Sequence, residues 1–141
     1  MTGADENLRL VLSWLEAWGR GDRDALIEGL DPAVEIHSQR EVGNEGTYRG
    51  RAGYRQWEAR WMEAWDEFRN EILRAEPVDR QHVIVDARQR GTGRGSGVAV
   101  DREVSMLFEI RDGRAVRFHL YSTHERALEV ARGGDGSAAG V

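Results

Sequence analysis

The stretch from His82 to Tyr121, HVIVDARQRGTGRGSGVAVDREVSMLFEIRDGRAVRFHLY, constrains the fold more than any other part of the chain. In its middle third Val98, Val100, Val104, Met106, Phe108 and Ile110 occupy even positions, and Asp101, Glu103, Ser105 and Glu109 lie between them. Successive side chains of a strand point to opposite faces, so this period of two predicts a sheet with one buried face. Arg102 breaks the even set and Leu107 the odd one. The stretch therefore reads as three strands joined by two hairpins, and the rest of the chain must cover one face of them.

The segments before it supply that cover. Leu8, Val11, Leu12, Leu15 and Trp18, with Trp14 at the edge, predict a helix from about Asp5 to Arg20. A second, short helix from Asp22 to Leu30 can be capped by Asp22 and is stopped by Asp31-Pro32. Val34 to Ser38 reads as a short strand and Glu41 to Gly46 as a polar loop. The next helix, Arg51 to Asp66, carries Tyr54, Trp57, Trp61 and Trp65 at spacings of three, four and four. Four rings on one face fit either plain packing against the sheet or the wall of a ligand cavity. Phe68 to Glu76 is a further strand, and Thr123 to Ala131 a last helix with a Thr cap. Residues 1–132 form one domain, and residues 133–141 a glycine- and alanine-rich tail expected to be disordered.

Helix, helix, strand, helix and then four strands is an α+β order: a strongly bent, mainly antiparallel sheet with three helices on its concave side. Two registers are open at the Asp112-Gly113 hairpin. A two-residue turn pairs Phe108 with Arg117 and Met106 with His119; a three-residue loop with a bulge at Gly113 pairs Phe108 with Val116 and Met106 with Phe118. The bulge is preferred because it segregates apolar from polar residues on both strands. The inner face then shows Val104, Met106, Phe108, Ile110, Val116, Phe118 and Leu120, while Arg117, His119 and Tyr121 point outward.

Composition removes several functions. A net charge of -5 gives no clustered positive excess for nucleic acid. The chain has no Cys, hence no disulfide, thiol nucleophile or thiolate metal site. Its four His are far apart without metal-ligand spacing, so no metal and no cofactor is expected. No signal peptide or membrane span is expected, which leaves the cytoplasm as the default compartment. Gly91, Gly93, Gly95 and Gly97 join two strands without a Lys, and so read as a flexible hairpin rather than a phosphate loop.

Trp18-Gly19-Arg20-Gly21-Asp22, Asp31-Pro32 before Val34-Glu35-Ile36-His37, Tyr48-Arg49-Gly50, Gln89-Arg90-Gly91, Arg111-Asp112-Gly113-Arg114 and Ala127-Leu128 occur in an order that resembles a SnoaL-like domain of the nuclear-transport-factor-2-like superfamily. The resemblance covers about residues 5 to 131. It implies a cone-shaped α+β barrel with a deep pocket, commonly a homodimer through the outer face of the sheet. It does not fix a reaction, since one fold hosts many chemistries.

The related catalytic sets are mostly missing. Where ketosteroid isomerase-like sites hold a Tyr, an Asp and a second carboxyl, this chain holds Trp14, either His37 or Ser38, and Met106. Where limonene epoxide hydrolase-like sites hold Asp, Arg and Asp, it holds Val104, Met106 and Leu120. No Asp or Glu falls on the expected inner face to serve as a SnoaL-like acid. His37 remains as a general acid/base, with Ser38 or Gln89 as partner, although strict alternation from Val34 and Ile36 turns Ser38 rather than His37 inward. The expected pocket is lined by Trp14, Trp18, Ile36, Ser38, Tyr54, Trp57, Trp61, Gln89, Val104, Met106, Phe108, Phe118 and Leu120. Two functions follow: a pocket for a small apolar molecule without an assured catalytic set, or an isomerase or cyclase on a polyketide- or steroid-like substrate using His37.

Overall fold

The computed structural model describes residues 3–133. The expected tail lies outside the described residues except for Gly133. Four helices and six strands follow in the order α1 (Gly3–Gly19), α2 (Arg23–Gly29), β1 (Leu30–Ser38), β2 (Gly46–Arg49), α3 (Gly50–Glu63), β3 (Trp65–Pro77), β4 (His82–Gly93), β5 (Ala99–Arg111), β6 (Arg114–Tyr121) and α4 (His124–Ala131). The strands form one curved, open sheet in the order β2-β1-β6-β5-β4-β3. Only β1 and β6 run parallel; every other pair is antiparallel. No helix among the described residues is long and apolar enough to cross a membrane.

The alternation in β5 and β6 produces two cores on opposite faces. On the inner face Val83, Val85, Ala87, Val104, Met106, Phe108, Phe118 and Leu120 pack against Val11 and Trp14 of α1, Leu26 of α2 and the rings of α3. Leu107, the residue that broke the odd set, packs on the outer face with Ile84 and Tyr121 beneath Ala127 and Ala131 of α4. Thus α1, α2 and α3 cover the concave side as expected, and the fourth helix closes part of the convex one. In α1 the buried line is Val11, Trp14 and Ala17, which moves Trp14 from the edge to the centre of the helix face.

Several local expectations needed correction. The Asp112-Gly113 turn has two residues, both with positive φ (52° and 76°), the geometry a tight hairpin between right-twisted strands requires. The bulge sits instead in β6: Ile110 faces Ala115 and Glu109 faces Arg117, with Val116 left between. Phe108 therefore pairs with Phe118 and Met106 with Leu120. This register differs from both alternatives, but two residues of slip preserve the faces, so the inner set survives with Ala115 in place of Val116. The expected loop Glu41 to Gly46 gives way at Gly46 to the strand β2, for which the sequence carries no alternation, since its four residues bury one side chain, Tyr48. Trp65 begins β3 rather than ending α3. Gly91 and Gly93 belong to β4, and a Cβ on Gly91 would lie 2.2 Å from the Glu67 carbonyl oxygen and 2.7 Å from the Trp65 ring. Close approach of the bulged β3, not hairpin flexibility, accounts for that glycine.

Candidate ligand-binding site

The inner face of the sheet and the rings of α3 enclose an aromatic chamber. Tyr54, Trp57 and Trp61 recur at helical spacing, which turns them toward the same strands. Trp57 stacks on Trp61 at 5.3 Å between ring centroids and meets the ring of Phe118 edge-on at 5.9 Å. Phe118 stacks in turn on Phe108 at 4.7 Å. Phe68 at the start of β3 completes the enclosure, edge-on to both Trp61 (5.7 Å) and Trp18 (6.3 Å).

Between these rings lies a cavity of about 40 Å³, well below the roughly 300–1,000 Å³ usual for a small-molecule pocket. Eight of the expected pocket residues line it: Trp18, Tyr54, Trp57, Trp61, Gln89, Met106, Phe118 and Leu120. Leu15, Leu26, Phe68 and Asn70, which the sequence did not suggest, also line it. Trp14, Ile36, Ser38, Val104 and Phe108 are buried behind it as packing. Ser38 does turn inward, but its hydroxyl donates to the Gly43 carbonyl at 2.7 Å and so fixes the β1–β2 loop.

His37 lies on the other face. Its ring is 5.7 Å from that of His119 and 6.2 Å from that of Tyr121, the residue that packs beneath α4. Burial lowers the His37 pKa from its ordinary value, and Nδ1 is 3.4 Å from the Thr47 hydroxyl. Neither Ser38 nor Gln89 is its partner. A general acid/base role in the chamber would need this side chain to point through the sheet, because β1 alternates regularly from Val34 to Ser38. His119 is pushed down to about 4, first by burial and then by the charges of His37 and Arg117. Its Nδ1 lies 2.8 Å from the Tyr121 hydroxyl.

Of the polar groups around the chamber the sequence suggests Tyr54 and Gln89, while Glu58, Arg102 and Asn70 are additional. Glu58 is 8% exposed, and its Oε2 accepts hydrogen bonds from Trp18 Nε1 (2.8 Å) and the Tyr54 hydroxyl (3.0 Å). Burial, reinforced by the Glu58 charge, raises the Tyr54 pKa well above that of an ordinary phenol, so the hydroxyl stays a donor. The signal was present: Tyr54, Trp57, Glu58 and Trp61 occupy i, i+3, i+4 and i+7 of one helix face. Arg102, the break in the even set of β5, donates to Gln89 Oε1 (3.2 Å) and the Val42 carbonyl (2.6 Å). Its guanidinium lies over the rings of Trp61 and Trp65 at 5.8 and 6.0 Å. Two buried polar atoms have no partner among the described residues, Trp57 Nε1 and Asn70 Oδ1, and both residues line the cavity.

A second, open depression of about 640 Å³ wraps the free edge of β3. It shares Leu15, Trp18, Phe68 and Asn70 with the inner cavity. Among the described residues no three His, Cys, Asp or Glu side chains are grouped so as to hold a metal ion.

The architecture recurs in solved structures. An NTF2-like protein from Burkholderia thailandensis is 24% identical, with 89% of this chain and 95% of that chain covered and a TM-score of 0.77. A SnoaL-like polyketide cyclase candidate from Jannaschia sp. CCS1 is 21% identical, covering 89% of this chain and 91% of that one with a TM-score of 0.73. TerC, crystallized with polyporic acid, is 19% identical, covering 87% and 98% with a TM-score of 0.72. At these identities the likeness shows the fold. No curated protein sequence matches the chain. The SnoaL-like domain model matches residues 11–118, from the middle of α1 to Phe118 in β6. With its helices, sheet order and chamber in that arrangement, the chain belongs to the SnoaL-like domain family.

Proposed function

We propose that the aromatic chamber binds a small, flat, apolar molecule, gripped by ring faces and oriented by one pair of polar contacts. The observation that carries this is the unpaired Trp57 Nε1–H in a wall of rings, with the unpaired Asn70 Oδ1 on the same cavity. A buried donor or acceptor without a partner costs about 1–3 kcal/mol. A ligand oxygen that accepts from Trp57, or a ligand hydroxyl that donates to Asn70, removes one such penalty. Because the cavity is small, binding must widen it, and Trp18 and Phe68, the half-buried pair that lines both it and the open depression, are the rings placed to part. The co-crystal of TerC with polyporic acid supports a small organic ligand for this fold. The test is calorimetric titration with 2-naphthol. Saturable binding that Trp57→Phe weakens by about tenfold, ~1.4 kcal/mol, is expected; absence of binding sinks the proposal.

A second function, isomerase or cyclase, is favoured by the Tyr54–Glu58 pair, which sets a fixed phenol donor against a buried carboxylate. Its test is protein-dependent deuterium exchange at the acidic carbon of 2-tetralone, followed by NMR. Exchange that Glu58→Gln abolishes is expected, and exchange no faster than in buffer removes this alternative.

We also propose a homodimer through the outer sheet face, residence in the cytoplasm and no affinity for nucleic acid, the last from the net charge of -5. A monomer mass by light scattering would remove the dimer.

A further inference from the structure

We infer that the aromatic chamber is the inner end of a longer site whose outer end, the arginine-lined depression at the β3 edge, takes an anionic group; the ligand is then a flat aromatic acid rather than a neutral molecule. This rests on the chamber binding a flat apolar body.

Continuity comes first. Trp18, Phe68 and Asn70 face both spaces, so a molecule entering between Trp18 and Phe68 keeps its trailing end in the depression. The volumes, about 40 and 640 Å³, put the room for that end in the depression. Charge comes second. Arg23, Arg69, Arg88 and Arg90 line the depression against a single carboxylate, Glu71, in a chain of net charge -5. Arg88 is engaged by Asp101 at 2.7 Å, and Arg90 lies 3.9 Å from both Glu71 and Asp101. Arg23 and Arg69 have no carboxylate at ion-pair distance among the described residues. Asp22, next to Arg23, is occupied as the α2 cap. Arg23 also lies over the Trp18 ring at 5.9 Å, which ties the cation to the entrance. A guanidinium is planar and presents paired N–H donors, a geometry that matches a carboxylate. The unpaired Oδ1 belongs to Asn70, a residue of the shared wall, and a hydroxyl of the entering molecule that reaches it would donate to it.

The experiment compares 6-hydroxy-2-naphthoate with its methyl ester by calorimetry at low ionic strength, on the wild-type chain and an Arg23→Gln/Arg69→Gln double variant. Both substitutions are at exposed positions, so folding is retained. The acid should bind about tenfold tighter than the ester, ~1.4 kcal/mol. The preference should vanish in the double variant and shrink with added salt, while 2-naphthol still binds the double variant saturably. Equal binding of acid and ester, or a preference that survives the double substitution, overturns the anionic end while 2-naphthol binding keeps the chamber. Failure of 2-naphthol as well removes the chamber and this inference together.

Discussion

Removing the carboxylate of Glu58 should cost stability through Tyr54 rather than through Glu58 itself. The Glu58 Oε2 accepts from Tyr54 at 3.0 Å and from Trp18 at 2.8 Å. Tyr54 is 1% exposed, whereas Trp18 is half-buried and its indole N–H can find solvent. In Glu58→Leu the penalty for a stranded buried donor therefore falls mainly on Tyr54, and a loss of about 2–4 kcal/mol is expected. Glu58→Gln retains a carbonyl oxygen for both donors and should lose about 1 kcal/mol. Tyr54→Phe alone gives up one bond to a charged acceptor, about 1.5–3 kcal/mol. In the Tyr54→Phe/Glu58→Leu double variant the stranded phenol is gone, so the combined loss should fall short of the sum by about 2 kcal/mol. Urea unfolding followed by tryptophan fluorescence measures each corner of the cycle. Additivity to within about 0.5 kcal/mol would show that Glu58 does not hold Tyr54, and the fixed polar side of the chamber would be lost from the account.

Two further substitutions probe the frame around it. An alanine Cβ at Gly29 would lie 2.3 Å from Trp14 Cε2, so Gly29→Ala must displace a core ring. A loss of about 1–3 kcal/mol is expected, read as a lower melting temperature, and an unchanged value contradicts the packing. On the outer face His119 has its pKa pushed down to about 4 from 6.5, so the unfolded chain takes up a proton at a pH where the folded chain does not. Stability from this residue is complete above pH 6.5 and is lost as the pH falls toward about 4, by up to about 3 kcal/mol. His119→Gln should flatten that limb of the stability–pH curve; identical slopes for the two proteins would refute it.

The sheet was legible because alternation is a backbone property: Val104, Met106, Phe108, Phe118 and Leu120 share a face in any register of the right parity. The pairing itself was not, since it depends on where the chain places its extra residue, and Val116 carries no local mark of a bulge. The rings of α3 were legible by spacing, but the same spacing left open whether they pack or bind. Glu58 escaped because a carboxylate is ordinarily assigned to solvent; only its two donors, 40 residues and 4 residues away in sequence, show why it is buried. Asn70 and the arginines around the β3 edge belong to a strand whose bulges and curvature assemble the depression, and no sequence period reports those. His37 is a candidate by its chemistry alone, while the alternation of β1 points its neighbour Ser38 to the inner face.

The most direct test of the chamber is the indole N–H region of a proton–nitrogen correlation spectrum, to which each of the five tryptophans contributes one signal. The signal missing in Trp57→Phe identifies Trp57. On addition of 2-naphthol that signal should move downfield as Nε1–H gains an acceptor, while the Trp14 signal, from the packing behind the cavity, stays in place. A Trp57 signal that does not move at saturating 2-naphthol contradicts the account.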